Sequence, residues 1–150
     1  MATLWITYAW EDNRDGDVDF VAQELRAAGI QVRLDRWTIG AGRRLWEQIA
    51  VFITDPTQSD AWMLYATQNS LASQACREEL AYALDRALKN RGEEFPVIAL
   101  FPSRVDDQLI PASIRIRLHL SSADPDWKER IAAAVERRPP SVSTPAIQPY

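Results

Sequence analysis

The chain carries one cysteine, Cys76, and one histidine, His119, in 150 residues. A single thiol cannot close an intrachain disulfide, which suits a reducing compartment. One thiol and one imidazole also fall short of the ligand set of a zinc site, so no metal is expected. Basic charge is scarce: 17 Lys and Arg against 21 Asp and Glu leave a formal net charge of −4, and the cations are scattered among acids. No basic face is available to neutralise a run of phosphates, so nucleic acid is not an expected partner. Glycine is sparse, with five residues, and none forms a Gly-rich phosphate fingerprint after the first strand. The sequence also lacks an apolar run of bilayer-spanning length and a basic start followed by a long apolar stretch. The expectation is a cytoplasmic protein with no membrane partner.

What is present is an ordinary globular composition, 47% hydrophobic and 25% charged, at a length that buries one continuous core. Leu4 to Ala9 is an apolar and β-branched run entering polar residues, the pattern of a buried strand. Asp17 is placed to cap a helix whose Val18, Val21, Ala22, Leu25 and Ala28 recur at helical spacing, and Gly29 suits the position just past its end. Ile30 to Leu34 reads as a second strand. Asp35 to Gly42 forms a long connection before a helix carrying Leu45, Trp46, Ile49, Phe52 and Ile53, which Asp55-Pro56 stops. Ala61 to Ala66 is a third strand, and a third helix begins near Ser73. Phe95 to Phe101 is the most continuous apolar run and reads as a central strand covered on both faces. Ile114, Ile116, Leu118 and Leu120 alternate with polar residues, as in an edge strand buried on one face. Asp124-Pro125 reads as the cap and first residue of a last helix with Trp127, Ile131, Ala134 and Val135 inward. Residues 1–137 are thus expected to form one domain. Residues 138–150, with Pro139, Pro140, Pro145 and Pro149, read as a linker or frayed end.

Strands alternating with helices imply an α/β fold: a five-stranded parallel sheet with helices on both faces, a three-layer sandwich. Five strands fit the flavodoxin-like order 2-1-3-4-5, whose switch point lies between the first and third strands. Ligands are expected in the crevice there, flanked by the loops after Ala9 and Ala66. A phosphoacceptor role would need an aspartate at the end of the third strand, where Thr67-Gln68-Asn69 stands instead.

The third helix holds two adjacent glutamates in different environments. Cys76, Leu80, Ala83, Leu84 and Ala87 define its buried stripe; Glu79 lies about 80° from the stripe centre and Glu78 nearly opposite. Glu79 flanks the core and Glu78 faces water. On wheel position alone Glu79 reads as an ordinary helix-surface residue. Cys76 reads as a small buried hydrophobe, His119 as a surface residue, and Trp5, Trp46, Trp62 and Trp127 as packing anchors.

Three segments carry a family resemblance. Trp5-Ile6-Thr7-Tyr8-Ala9-Trp10-Glu11-Asp12, Asp35-Arg36-Trp37-Thr38-Ile39-Gly40 and Ser73 through Leu80, an S-x-x-C-x-x-E-L helix, resemble in order the signature segments of TIR (Toll/interleukin-1 receptor) domains. That family shares the flavodoxin-like fold. Its bacterial-type, NAD-cleaving branch implies NAD+ as substrate and no cofactor. The nicotinamide–ribose bond is cut to give nicotinamide and ADP-ribose or a cyclic isomer, and self-association with other TIR domains activates the enzyme in immune or defence signalling. Other members are non-enzymatic scaffolds that dock on one another, a role that the loop from Asp35 to Arg44 would serve here.

The catalytic glutamate of the cleaving members matches Glu79. Nicotinamide leaves as a neutral base from a cationic ring, so a single carboxylate beside the developing ribose oxocarbenium suffices. Tyr8, Ala9 and Trp10, with Asp35, Arg36 and Trp37, are the substrate-binding residues this resemblance implies. The two aromatics at the end of the first strand are placed to stack on a base, and Arg36, Arg43 and Arg44 to meet the pyrophosphate. Where many cleaving relatives carry Trp four residues before the catalytic glutamate, this chain has Ala75, leaving Trp10 or Trp37 to supply that surface.

Overall fold

The computed structural model describes residues 1–34, 45–89 and 95–141. Five parallel strands, β1 (Thr3–Thr7), β2 (Gln31–Leu34), β3 (Ala61–Tyr65), β4 (Val97–Phe101) and β5 (His119–Ser121), pair in the order β2-β1-β3-β4-β5. This is the flavodoxin-like order read from the alternation of strands and helices. Among the described residues the helices are α1 (Asp17–Ala27), α2 (Leu45–Thr54), α3 (Gln68–Ala72), α4 (Gln74–Lys89), α5 (Ala112–Arg115) and α6 (Trp127–Glu136).

The pleat of β1 divides the core into two layers. Leu4, Ile6 and Tyr8 pack with Val18, Val21, Ala22 and Leu25 of α1 and with Trp127, Ile131 and Val135 of α6. Trp5 and Ala9 pack on the other side with Ile49 and Ile53 of α2, Leu71 of α3, and Cys76, Leu80 and Ala83 of α4. The sheet is therefore the middle of three layers, and the inner strands β1, β3 and β4 are buried on both faces, as expected of parallel strands, whereas β2 and β5 at the edges alternate.

The start of α1 differs from expectation. Asp17 is its first helical residue rather than its cap. The capping oxygen comes from Asn13, at the end of a 3-10 turn over Trp10–Asn13. Asn13 Oδ1 accepts from the backbone N–H groups of Val18 at 2.9 Å and Asp19 at 3.0 Å. Asn13 is buried, so these otherwise unpaired donors are satisfied away from water. At the other end Gly29 takes φ +95°, a conformation strained for residues with a Cβ. Its N–H donates to Arg26 O at 3.0 Å, and Ile30 N to Leu25 O at 3.1 Å, closing the helix.

Further along, Phe95–Phe101 does yield β4, which lies between β3 and β5; the central strand is β3. A short helix missed by periodicity, α3, is held by a reciprocal capping box between Thr67 and Ser70. Ser73 then turns extended, with ψ 124°, and its Oγ accepts from Cys76 N at 3.2 Å to start α4. The alternation from Ile114 to Leu120 does not make one strand. Pro111 begins a helical turn, its carbonyl accepting from Ile114 N and Arg115 N. Ile116 is then left 78% exposed and Leu118 37%, and the edge strand shrinks to β5. The last helix starts at Trp127, two residues beyond Pro125, with Trp127 N donating to Asp124 O.

Asn13→Ala is expected to destabilise the domain by about 1–2 kcal/mol through loss of the α1 cap. Urea unfolding should show a lower midpoint at an unchanged slope.

Candidate functional site

Glu79 sits in the second turn of α4, three residues after Cys76, which turns its carboxylate from the helix flank toward the sheet. It is 8% exposed, whereas Glu78 is exposed, as their wheel positions predict. A buried carboxylate needs partners, and β1 supplies two. Thr7 Oγ1 donates to Glu79 Oε1 at 2.6 Å, and Trp5 Nε1 donates to the same oxygen at 3.3 Å. Trp62 Nε1 in turn donates to Thr7 Oγ1 at 2.8 Å. The hydroxyl thus accepts from one indole and passes its own proton toward the carboxylate. This uses both of its roles and fixes its rotamer.

The register explains why these groups meet. Trp5 and Thr7 share one face of β1 by period two. Trp62 is paired with Trp5 across the parallel β1–β3 ladder, and Leu64 with Thr7, so the indole of Trp62 reaches one step along to Thr7. On its outer side Trp5 stacks on Phe52, with centroids 5.2 Å apart and planes 8° from parallel. The Arg33 guanidinium lies 5.8 Å from the Phe52 ring centroid. The Trp5 ring is thereby clamped between the sheet and α2.

The helix that carries Glu79 is anchored a second time, by Arg86. This buried guanidinium donates from Nη1 to Ile53 O at 2.8 Å and Ser59 Oγ at 3.0 Å, and from Nη2 to Ser59 O at 2.9 Å. It also lies 4.0 Å from the Phe95 ring centroid. Arg86 falls seven residues after Glu79, two helical turns along the same face. The sequence reading did not place Arg86 in the interior, and it put Thr7 in a buried strand without giving it a role. Trp5 and Trp62 were expected only as packing anchors; they are buried as expected, and their ring N–H groups also serve the carboxylate network.

The expected substrate-binding residues separate in space. Ala9 is buried on the Glu79 side, and Trp10 is 65% exposed at the start of the 3-10 turn. Tyr8 is buried in the layer formed by α1 and α6, across the sheet from Glu79, because its place in the pleat is opposite to that of Thr7. Tyr8 and Glu79 therefore do not face each other across one crevice. Asp35, Arg36 and Trp37, together with Arg43 and Arg44, lie outside the described residues. Ala75 is exposed on α4.

The switch-point crevice is real but is not where Glu79 lies. It has a volume of about 490 Å³ and is walled by the loops after β1, β3 and β4. Its lining includes Glu11, Asp12, Asp15, Asp17 and Tyr65 and does not include Glu79. Four carboxylates disfavour a pyrophosphate there. Among the described residues no group of three His, Cys, Asp or Glu side chains is placed to hold a metal ion, and no helix is long and apolar enough to cross a membrane.

With fold and site in view, comparison with known proteins identifies the class. The family model described as TIR domain matches residues 5–135, and the chain belongs to that family. Among solved structures, the TIR domain of the Toll-related receptor TRR-2 from Hydra magnipapillata superposes with a TM-score of 0.63 at 16% identity, over 89% of this chain and 91% of that one. The TIR domains of the activated Roq1 resistosome, which directly recognises the pathogen effector XopQ, give a TM-score of 0.57 at 21% identity, over 67% of this chain and 57% of that one. At these identities the likeness is one of fold. A search of curated protein sequences finds no match.

Thr7→Val removes the 2.6 Å hydrogen bond from Thr7 to the Glu79 carboxylate and leaves the Trp62 indole N–H without that acceptor. The expected loss is about 1–3 kcal/mol, read by urea unfolding. Thr7→Ser keeps the hydroxyl and should cost about 1 kcal/mol or less, the value of one methyl group.

Proposed function

We propose that this TIR domain is an NAD+ glycohydrolase in which Glu79 is the catalytic carboxylate. The observation that carries the reading is a nearly buried glutamate, at the position matching the family's catalytic residue, held by hydrogen bonds at the carboxyl end of β1. Ligands of open α/β sheets gather at those strand ends.

In this reading the nicotinamide–ribose bond breaks heterolytically and the electron pair leaves with nicotinamide, a neutral base that needs no protonation. Positive charge grows on the ribose ring. The Glu79 carboxylate, fixed in advance by Thr7 and Trp5, stabilises that charge without reorganising. Water, or the adenine of the same molecule, then adds to the ribose carbon, giving ADP-ribose or a cyclic isomer. Trp10, exposed beside the carboxyl end of β1, offers an aromatic face for a base, and Asp35, Arg36 and Trp37 complete the substrate surface. Tyr8 acts from beneath, by packing. The protein works in the cytoplasm, and self-association with other TIR domains raises its activity in a defence or immune signalling role.

A non-enzymatic TIR–TIR module is the second reading, favoured by one observation: a glutamate so well bonded to Thr7 and Trp5 also serves as a purely structural residue. Nicotinamide release by purified protein, followed by chromatography over a wide range of protein concentrations, separates the two. The enzymatic reading expects turnover that rises faster than protein concentration and falls at least about 100-fold in Glu79→Gln. Absence of release at every concentration, or release that survives Glu79→Gln, overturns it. Undiminished self-association in Glu79→Gln without any turnover establishes the module instead.

A further inference from the structure

Among the described residues, acidic side chains collect at the switch-point crevice around a tyrosine that is almost wholly buried. Glu11, Asp12, Asp15 and Asp17 come from the turn after β1 and the start of α1, and among the described residues no Lys or Arg lines the crevice with them. Asp12 is held rigidly: its two oxygens accept from Thr67 Oγ1 and Asn69 Nδ2, which ties the β1 loop to the β3 loop across the opening. Tyr65, at the end of β3, also lines the crevice and is 5% exposed. Its hydroxyl opens onto the crevice and makes no hydrogen bond to any described residue, so it stands ready to pair with what enters. Burial first, and then the charges of Asp17 and Asp12, hold the phenol above its ordinary value. An unpaired hydroxyl beneath a rim of carboxylates, at the topological switch point where α/β sheets take their ligands, is a site built for something positive that also hydrogen-bonds.

We propose that this crevice binds an alkylammonium or guanidinium cation, its N–H groups donating to the Tyr65 oxygen and its charge meeting Asp12, Asp17 and Glu11. The site is separate from Glu79. A bare divalent ion fits it poorly, since the carboxylates do not converge as a chelating set, and an anion is repelled. The volume of about 490 Å³ exceeds what one ion needs and lies in the range of small-molecule sites, roughly 300–1,000 Å³. The same chemistry is available from a free polyamine or from a Lys or Arg side chain of a protein.

Calorimetric titration of the full chain with spermidine, with N-acetyl-arginine amide and with magnesium chloride tests this. Saturable binding of one of the two organic cations is expected. Spermidine binding above that of the arginine amide assigns the site to a free polyamine, and the reverse assigns it to a protein side chain. The affinity should fall about fivefold in Tyr65→Phe, more in Glu11→Gln/Asp17→Asn, and steeply between 50 mM and 500 mM salt, an increase of about tenfold in ionic strength. Circular dichroism of both variants checks that they are folded, and Tyr65→Phe removes one oxygen only. No saturable binding of either organic cation, magnesium binding as tight as both, or unchanged affinity in the two variants overturns the proposal. Nicotinamide release in Tyr65→Phe should equal that of the unmodified chain, which keeps this result independent of the role of Glu79.

Discussion

A single hydroxyl, that of Thr7, reconciles a carboxylate with an apolar layer. The face of the sheet that carries it is otherwise covered by Trp5, Trp62, Ile49, Ile53, Leu64 and Leu80, surroundings in which an isolated charge costs several kcal/mol. Glu79 remains there because Thr7 and Trp5 donate to it and Trp62 completes the shell of Thr7. The arrangement needs residues from β1, β3 and α4 at once. It forms only after the strands have paired in register and α4 has docked. The network therefore reports on the finished fold and not on any one element.

The acidic crevice and the Glu79 network also lie on different faces of the sheet. Loops after β1, β3 and β4 surround an acidic crevice whose floor includes Tyr65, packed with the α1 and α6 layer. The Glu79 network belongs to the layer of α2 and α4. Both sit toward the carboxyl ends of the strands, yet their electrostatics are opposed in purpose. One presents a rigid, hydrogen-bonded carboxylate singly; the other presents several together and leaves a phenol waiting.

Much of the architecture was legible in the sequence because its signals were local and strong. Continuous apolar runs marked β1, β3 and β4, Gly29 marked the end of α1, and Asp55-Pro56 the end of α2. The period-two run from Ile114 to Leu120 misled because Pro111 sets up a helical turn before the strand can begin, and propensity over four residues is overridden by such a start. Asn13 was invisible as a cap because it stands four residues before the helix, outside the usual capping position. At the site, the side on which Glu79 lies followed from its angle on the helical wheel. That Thr7, and not Tyr8, would meet it depends on which parity of β1 faces α4, a fact set by packing across the sheet and not by the strand alone. Arg86 was similarly hidden, since a guanidinium on the buried stripe is sensible only once the carbonyls of Ile53 and Ser59 are known to converge on it.

Arg86 has a mechanical consequence. By gripping the last turn of α2 and the chain leading into β3 from a helix that starts at the opposite end of the sheet face, it turns α2 and α4 into a single strut. Parting the two helices breaks three hydrogen bonds of a buried guanidinium, a cost that favours their opening together. The carboxylate two turns up α4 rides on that strut, and whatever approaches Glu79 meets a surface that yields as one piece or not at all.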